Sequence, residues 1–292
     1  MNQVSHPHPL VFRFGDTTFD FGARTHIMGV LNVTPDSFSD GGKYVDPGRA
    51  LDRALEMKEE GADFIDVGGE SSRPRGNAYG GGADSVPADE EIRRVIPVLQ
   101  RLAGGVGCPL SIDTTKAEVA ARALDAGAVL VNDISGFRFD TAMAATVARG
   151  HASAVVMHMK GTPKTMQDNP VYDDLFAEVE SGLRASVEEG RRSGIRQIIV
   201  DPGIGFGKSG RDNLDLLRGL SRFHALGCPV MVGPSRKAFL GEILHLPVEE
   251  RVEGTLASVV AAILSGAHIV RVHDVKQVKR AALVADALRP SP

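Results

Sequence analysis

The chain repeats one pattern of apolar and polar positions. A short β-branched run without alternation ends in a polar residue, and a loop and a helix-length segment follow. Ile198-Ile199-Val200-Asp201, leading into Pro202-Gly203-Ile204-Gly205-Phe206-Gly207-Lys208, states it most plainly. An unalternated apolar run is what a strand buried on both faces of a parallel sheet needs. The pattern recurs over Ile27–Asn32, Phe64–Glu70, Leu110–Asp113, Val129–Asp133, Ala154–His158, Pro229–Gly233 and Ile269–His273, giving eight candidate strands.

Helical periodicity falls between them. Asp46–Glu60 is amphipathic and stopped by Gly61, and Ala88–Leu102 opens on acids that suit a helix N-terminus. A third segment should begin with a hydroxyl cap at Thr114 or Thr115 and stop at Gly127. Others cover Thr141–Arg149, Asp173–Arg192, Asp212–Ala225, Ser235–Leu240, Glu249–Leu264 and Asp274–Leu288. Strand then helix with short links demands parallel strands and right-handed crossovers. Eight repeats predict an α/β fold, a (β/α)8 barrel, covering residues 10–292 as one domain. Val11–Phe21 alternates around Gly15-Asp16 and predicts a small hairpin at the barrel's bottom, while residues 1–9 read as a disordered start. Three links are longer than packing requires: Thr34–Tyr44, Ser71–Pro87 and Met159–Val171. Such loops at strand C-terminal ends are where a barrel builds its site.

Composition narrows the function classes. Net charge −4 argues against a dedicated nucleic-acid binder, which needs a basic stripe. The two cysteines, Cys108 and Cys228, each precede a strand in Gly-Cys-Pro and read as reduced packing residues. No signal peptide is visible and the apolar stretch Leu256–Leu264 is too short to span a bilayer, so a cytoplasmic protein is expected.

The candidate chemistry sits at the strand ends. Gly207-Lys208-Ser209 evokes a nucleotide phosphate loop, but the position five before Gly207 is Pro202, and that motif fails. The glycines instead would let the loop approach a flat ligand, with Phe206 and Lys208 projecting. Asp113, Asn132 and Asp201 end three strands; each alone could be a cap or turn former. Converging, they suit a ligand with several adjacent N–H donors, such as an aminopyrimidinone ring. Ser235-Arg236-Lys237 reads as a helix opening, Ser235 being either a plain N-cap or part of an anion site. Arg271 and His273 alternate onto one face; a buried Arg needs either a carboxylate neighbour or an anionic ligand. Asn32 before Thr34-Pro35-Asp36-Ser37 could end in a simple turn or offer an oxygen to Mg²⁺. The sequence carries no Ser-His-Asp logic, no His-Glu-x-x-His and no Cys nucleophile, which points to displacement of a held leaving group.

These residues carry a family likeness. Ile27-Met-Gly-Val-Leu-Asn-Val-Thr-Pro-Asp-Ser-Phe-Ser-Asp-Gly-Gly42 and Asp66-Val-Gly-Gly-Glu-Ser-Ser-Arg-Pro74 resemble the first two signatures of dihydropteroate synthases. Ser111–Lys116, Val131–Asp133, Met157–Gln167, Asp201–Lys208, Gly233–Lys237 and Arg271–His273 match in order, so the likeness runs from about Thr25 to Leu288. The resemblance implies a transferase joining 6-hydroxymethyl-7,8-dihydropterin diphosphate to 4-aminobenzoate, with Mg²⁺ as cofactor and a homodimeric assembly. It implies Asp113, Asn132, Asp201 and Lys237 as pterin contacts, with Met157 and Phe206 at that pocket. Ser72, Arg73, Phe206, Ser235 and Lys237 would frame the aminobenzoate site. Asn32 (through Mg²⁺), Arg271 and His273 would bind diphosphate. Asp113, Asp201, Lys237, Arg271 and His273 are then the expected catalytic set. The sequence departs from the family at Ser71-Ser72-Arg73-Pro74-Arg75-Gly76, where Ser-Thr-Arg-Pro-Gly is usual, and Asn77–Asp84 is longer and richer in glycine. Two rivals are a methyltetrahydrofolate–corrinoid methyltransferase and a silent pterin-binding paralogue. The first has no use for a diphosphate site, and the intact candidate residues weigh against the second.

Overall fold

A computed structural model of the chain describes residues 10–34, 46–71 and 85–289. Among the described residues, ten strands lie in two sheets. β1 (Val11–Phe14) and β2 (Thr17–Asp20) form the antiparallel hairpin. The other eight are β3 (His26–Asn32), β4 (Phe64–Gly68), β5 (Leu110–Asp113), β6 (Leu130–Asp133), β7 (Ser153–Met157), β8 (Ile198–Asp201), β9 (Met231–Val232) and β10 (Ile269–Val272). They run parallel in the order β8-β7-β6-β5-β4-β3-β10-β9. A parallel bridge between Val200 and Val230, with the Val200 amide donating to Pro229 O at 2.9 Å, joins the two ends. The sheet therefore closes on itself, and the eight expected strands are the barrel. β9 is short because Pro229 and Pro234 flank it and carry no N–H for the ladder.

The outer helices are α1 (Pro47–Glu59), α2 (Ala88–Ala103), α3 (Ala117–Asp125), α4 (Met143–Arg149), α5 (Leu175–Ser193), α6 (Gly210–Arg218), α7 (Ala238–Leu244), α8 (Val252–Leu264) and α9 (Val275–Leu288). Where a side chain caps the first turn, the helix begins within two residues of the expected start. Asp46 accepts from Gly48 N at the head of α1, Asp174 accepts from Ala177 N at α5, and Ser209 with Asp212 forms a capping box at α6.

Two expected starts are corrected. The threonines do not cap α3: Thr114 Oγ1 accepts from Lys116 N, and Asp140 Oδ2 caps Ala117 N from the next loop. Ser235 does not open a helix either, since α7 begins three residues later, after Lys237. Arg236 takes the left-handed conformation (φ 58°), and its amide is used by Thr255 Oγ1 at 3.0 Å, so residues 235–237 form a turn.

Side chains alternate along each strand. Outward positions such as Ile65, Val67, Ile112, Val131, Val200 and Val270 pack beneath the helices in the main core. Inward positions at the N-terminal end, Met28, Phe64, Leu130, Ile199, Met231 and Ile269, form a second cluster with hairpin residues Phe14, Phe19 and Phe21. Phe14 meets Phe64 edge to face at 5.0 Å and Phe19 stacks on it at 4.6 Å, so the hairpin plugs the barrel bottom. Both cysteines are free. With the bottom sealed by phenylalanines, the polar inward residues gather at the other end.

Candidate active site at the barrel mouth

Arg271 organises the mouth. Its Nε donates to Asp66 Oδ2 at 2.6 Å, and its Nη2 donates to Asp113 Oδ2 at 2.6 Å. The carboxylate neighbours that a buried Arg271 needs are therefore present: the guanidinium has two protein partners. Asp66 Oδ2 also accepts from Asn132 Nδ2 at 2.9 Å. β10, β4 and β6 are alternate strands of the barrel, the arrangement by which barrel interiors stack side chains in layers. Asp66 belongs to a motif quoted above but had no assigned part. Its signal was the strand alternation: Phe64, Asp66 and Gly68 share a face, and a charge inside a barrel must be paired.

One guanidinium between two buried carboxylates leaves a net negative charge. Burial, opposed by Arg271 and reinforced by Asp66, pushes the Asp113 carboxyl up to about 7. Burial likewise raises Asp201 to about 6, against the amide of Gly203 that donates to its Oδ1 at 2.7 Å. Lys237 is pushed down to about 8, by burial first and by Arg271 second. Its ammonium lies 3.9 Å from the centroid of the Phe206 ring. Met157 and Phe206 join Ile134, Met159 and Met166 in a small apolar cluster beside these charges.

His273 shares the mouth, its Nδ1 at 3.0 Å from Ser235 Oγ. Burial, followed by the nearby Arg271 and Arg236 charges, holds its imidazole down to about 3, so it is neutral. Asn32 ends β3, and a Cβ placed at Gly68 would lie 3.8 Å from Asn32 Oδ1 and 3.7 Å from Asp113 Oδ2. The missing side chain at Gly68 thus leaves a gap that these two groups flank. A cavity of about 230 Å³ adjoins Asp113, walled by Glu70, Lys116, Ile134 and Phe139 among others. Lys116 bridges Glu70 at 2.5 Å and the fully buried Glu91 at 2.6 Å. Glu91, expected merely to suit a helix dipole, is therefore a structural partner of this wall.

Lys208 corrects the sequence expectation. It turns inward and donates to Phe206 O at 2.9 Å and His158 O at 3.2 Å, with His158 Nδ1 at 3.1 Å. The glycines of its loop serve the protein's own packing. At Gly203 (φ 74°) a Cβ would lie 1.9 Å from His158 O, and at Gly207 (φ 65°) 2.4 Å from Lys160 O. Of the residues singled out from the sequence, Asp113, Asn132, Asp201, Lys237, Arg271, His273, Ser235, Asn32, Met157 and Phe206 all lie at the strand ends of the mouth or in the loops that follow them. Ser72 and Arg73, most of the Thr34–Tyr44 and Ser71–Pro87 links, and the departure at 75–84 lie outside the described residues, as do residues 1–9.

A closed parallel barrel with acceptor side chains and cations ringed at its mouth is the frame of a pterin-binding enzyme, and the model of the "Pterin binding enzyme" family matches residues 28–273. The chain is 47% identical over 291 residues to dihydropteroate synthase of Synechocystis, covering 99% of this chain and 98% of that one. The solved dihydropteroate synthase of Yersinia pestis, in a sulfonamide drug complex, superposes with a TM-score of 0.87 at 40% identity, covering 95% of this chain and 98% of that one. That of Xanthomonas albilineans with 4-aminobenzoic acid gives 0.87 at 40% identity, covering 98% and 100%. The chain belongs to the dihydropteroate synthase family of transferases, which move an alkyl group other than methyl. Among the described residues, no helix is long and apolar enough to cross a membrane.

Proposed function

We propose that this chain transfers the 7,8-dihydropterin-6-ylmethyl group from its diphosphate to the amine of 4-aminobenzoate, releasing diphosphate. The observation that carries this is the acceptor set at the mouth. Asn132 gives its Nδ2 to Asp66, so its Oδ1 is the amide atom left to accept a ligand N–H. With the Asp113 and Asp201 carboxylates it matches the row of N–H donors on an aminopyrimidinone ring. Lys237, Met157 and Phe206 complete the pterin site. Lys237 and Phe206, with Ser235, frame the aminobenzoate, and the family likeness assigns Ser72 and Arg73, outside the described residues, to the same substrate. The X. albilineans relative with 4-aminobenzoic acid supports the second substrate.

The aromatic amine of aminobenzoate is neutral at pH 7, so no strong base is required. The dihydropterin ring shares positive charge at its methylene carbon as diphosphate departs, and the displacement is SN1-like. Arg271 presents fixed positive charge to the departing anion, and His273, being neutral, contributes a hydrogen bond to it. Asn32 offers one neutral amide oxygen beside Asp113, a donor set suited to Mg²⁺, which takes few protein ligands and fills its shell with phosphate and water. Among the described residues no group of three or more His, Cys, Asp or Glu could hold a metal, so Asn32 is the one protein ligand proposed for it. When bound, Mg²⁺ neutralises charge on the diphosphate. A cytoplasmic homodimer completes the assignment, by analogy with the family.

A coupled diphosphate-release assay tests it. Release from the dihydropterin diphosphate in step with aminobenzoate consumption is expected. No release with or without aminobenzoate would identify a silent paralogue, and methyl transfer from methyltetrahydrofolate would identify the corrinoid-linked rival.

A further inference from the structure

Asp66 has no exposed surface and lies two residues before the end of β4, deeper along its strand than the terminal Asp113 and Asp201 are along theirs. Yet both residues that bond it face a ligand lodged in the mouth. The donors converge on a single oxygen: Oδ2 takes Arg271 Nε at 2.6 Å and Asn132 Nδ2 at 2.9 Å, while Oδ1 has no partner among the described residues. Neutralising Arg271 would not require this arrangement, because Asp113 already pairs with the same guanidinium.

We propose that Asp66 is the positioning residue of this site, setting through one carboxylate oxygen the plane of the Arg271 guanidinium and the orientation of the Asn132 amide. The inference rests on the transferase reading above, and adds a residue that acts through two others. The amide consequence is specific. A carboxylate accepts and cannot donate, so it admits the Asn132 amide in one orientation, with Nδ2 inward and Oδ1 toward the mouth. With that acceptor replaced by a group able to donate, both orientations are admitted and the mouth loses a fixed acceptor. The guanidinium consequence follows from geometry. Held at Nε by Asp66 and at Nη2 by Asp113, the guanidinium is fixed at two points on the neighbouring strands β4 and β5. Released from Asp66, it pivots about Asp113.

A third consequence separates positioning from support of the fold. Asp66 is one of the charges that raise Asp113. Neutralising Asp66 leaves Arg271 to Asp113 alone, so the ionisation of Asp113 moves to lower pH. General loosening of the barrel would not produce a shift in that direction together with a preserved fold.

The test compares wild type with Asp66→Asn and Asp66→Ala, with folding checked by thermal unfolding. Asp66→Asn is isosteric and keeps one acceptor, so it remains informative should Asp66→Ala fail to fold. Both are expected to lower kcat and pterin affinity, Asn by roughly tenfold and Ala by up to about a hundredfold. In Asp66→Asn the acid limb of the kcat/KM profile moves to lower pH. In an Arg271→Ala background, Asp66→Asn should cost much less than it does alone. A crystal structure of Asp66→Asn is expected to show Arg271 rotated or the Asn132 amide reversed. Wild-type kinetics, an unmoved acid limb and unchanged Arg271 and Asn132 in that crystal would overturn the proposal. Were wild type itself inactive toward the dihydropterin diphosphate, the transferase reading would fail. The crystal of Asp66→Asn would then decide the positioning role, with unchanged side chains refuting it and displaced ones supporting it.

Discussion

The ammonium of Lys237 lies 3.9 Å above the ring of Phe206, two residues from different strand-end loops that meet over the mouth. The contact joins the proposed pterin and aminobenzoate subsites. Burial has already weakened the hold of Lys237 on its proton, so the ring face partly compensates for lost hydration. Phe206→Leu keeps apolar volume and removes the quadrupole. It is expected to weaken ligand binding by about 1–2 kcal/mol, roughly five- to thirtyfold, with little change in unfolding temperature. Calorimetry with each substrate checks this, and wild-type affinities for both would count against the contact.

The site groups should leave a signature in stability against pH. Asp113 is raised to about 7 and Asp201 to about 6 from 3.8. Between those values the folded chain holds protons that the unfolded chain has lost, so raising pH from about 4 to 7 removes stability. Lys208 is lowered to about 7 and Lys237 to about 8 from 10.5. Over that range the folded chain binds fewer protons than the unfolded one, so raising pH restores stability. The net contribution of these four groups passes through a minimum near neutrality. Denaturant unfolding should show the stability of wild type relative to Asp201→Asn falling as pH rises from 4 to 6. A relative stability that rises there contradicts the burial argument.

Gly203 fixes the turn after β8. Alanine there meets both a left-handed backbone and His158 O, and a destabilisation of at least about 3 kcal/mol is expected. The same substitution at Gly104, where φ is −85° and nothing lies near, should be neutral or slightly stabilising. Parallel urea unfolding of the two variants measures the contrast.

The barrel was legible because its strands are buried on both faces and most of them lead directly into polar residues. Asp113, Asn132 and Asp201 were visible for the same reason. Asp66 was not, because it lies two residues inside its strand, where attention to the terminal polar position passes over it. Ser235 looked like a helix cap because Ser commonly is one. The chain instead turns through a left-handed Arg236, held by Thr255 from a later helix, which local pattern cannot announce. Lys208 was expected to project, yet it turns inward because the carbonyls of His158 and Phe206 converge there, a meeting of two strand ends far apart in sequence.

Removing Arg271 should do more than slow the reaction. Asp66 and Asp113 would face each other without their shared cation, and Arg271→Ala is expected to lose about 3–5 kcal/mol of stability. Asp66→Asn in that background should recover part of it by deleting one of the stranded charges. Thermal unfolding of the single and double variants checks the recovery, and a double variant less stable than Arg271→Ala would show that the carboxylates do not repel.

The proposed acceptor role of the strand ends is tested most directly at Asp201, whose carboxylate keeps Oδ2 for a ligand while Oδ1 accepts from the Gly203 amide. Asp201→Asn replaces one of these two oxygens with a donor and removes the charge. Titration calorimetry with the pterin substrate at pH 8, where Asp201 is ionised, should show affinity reduced at least about a hundredfold in a folded variant. Wild-type affinity in that variant would contradict the assignment of the barrel mouth as an acceptor ring for the pterin.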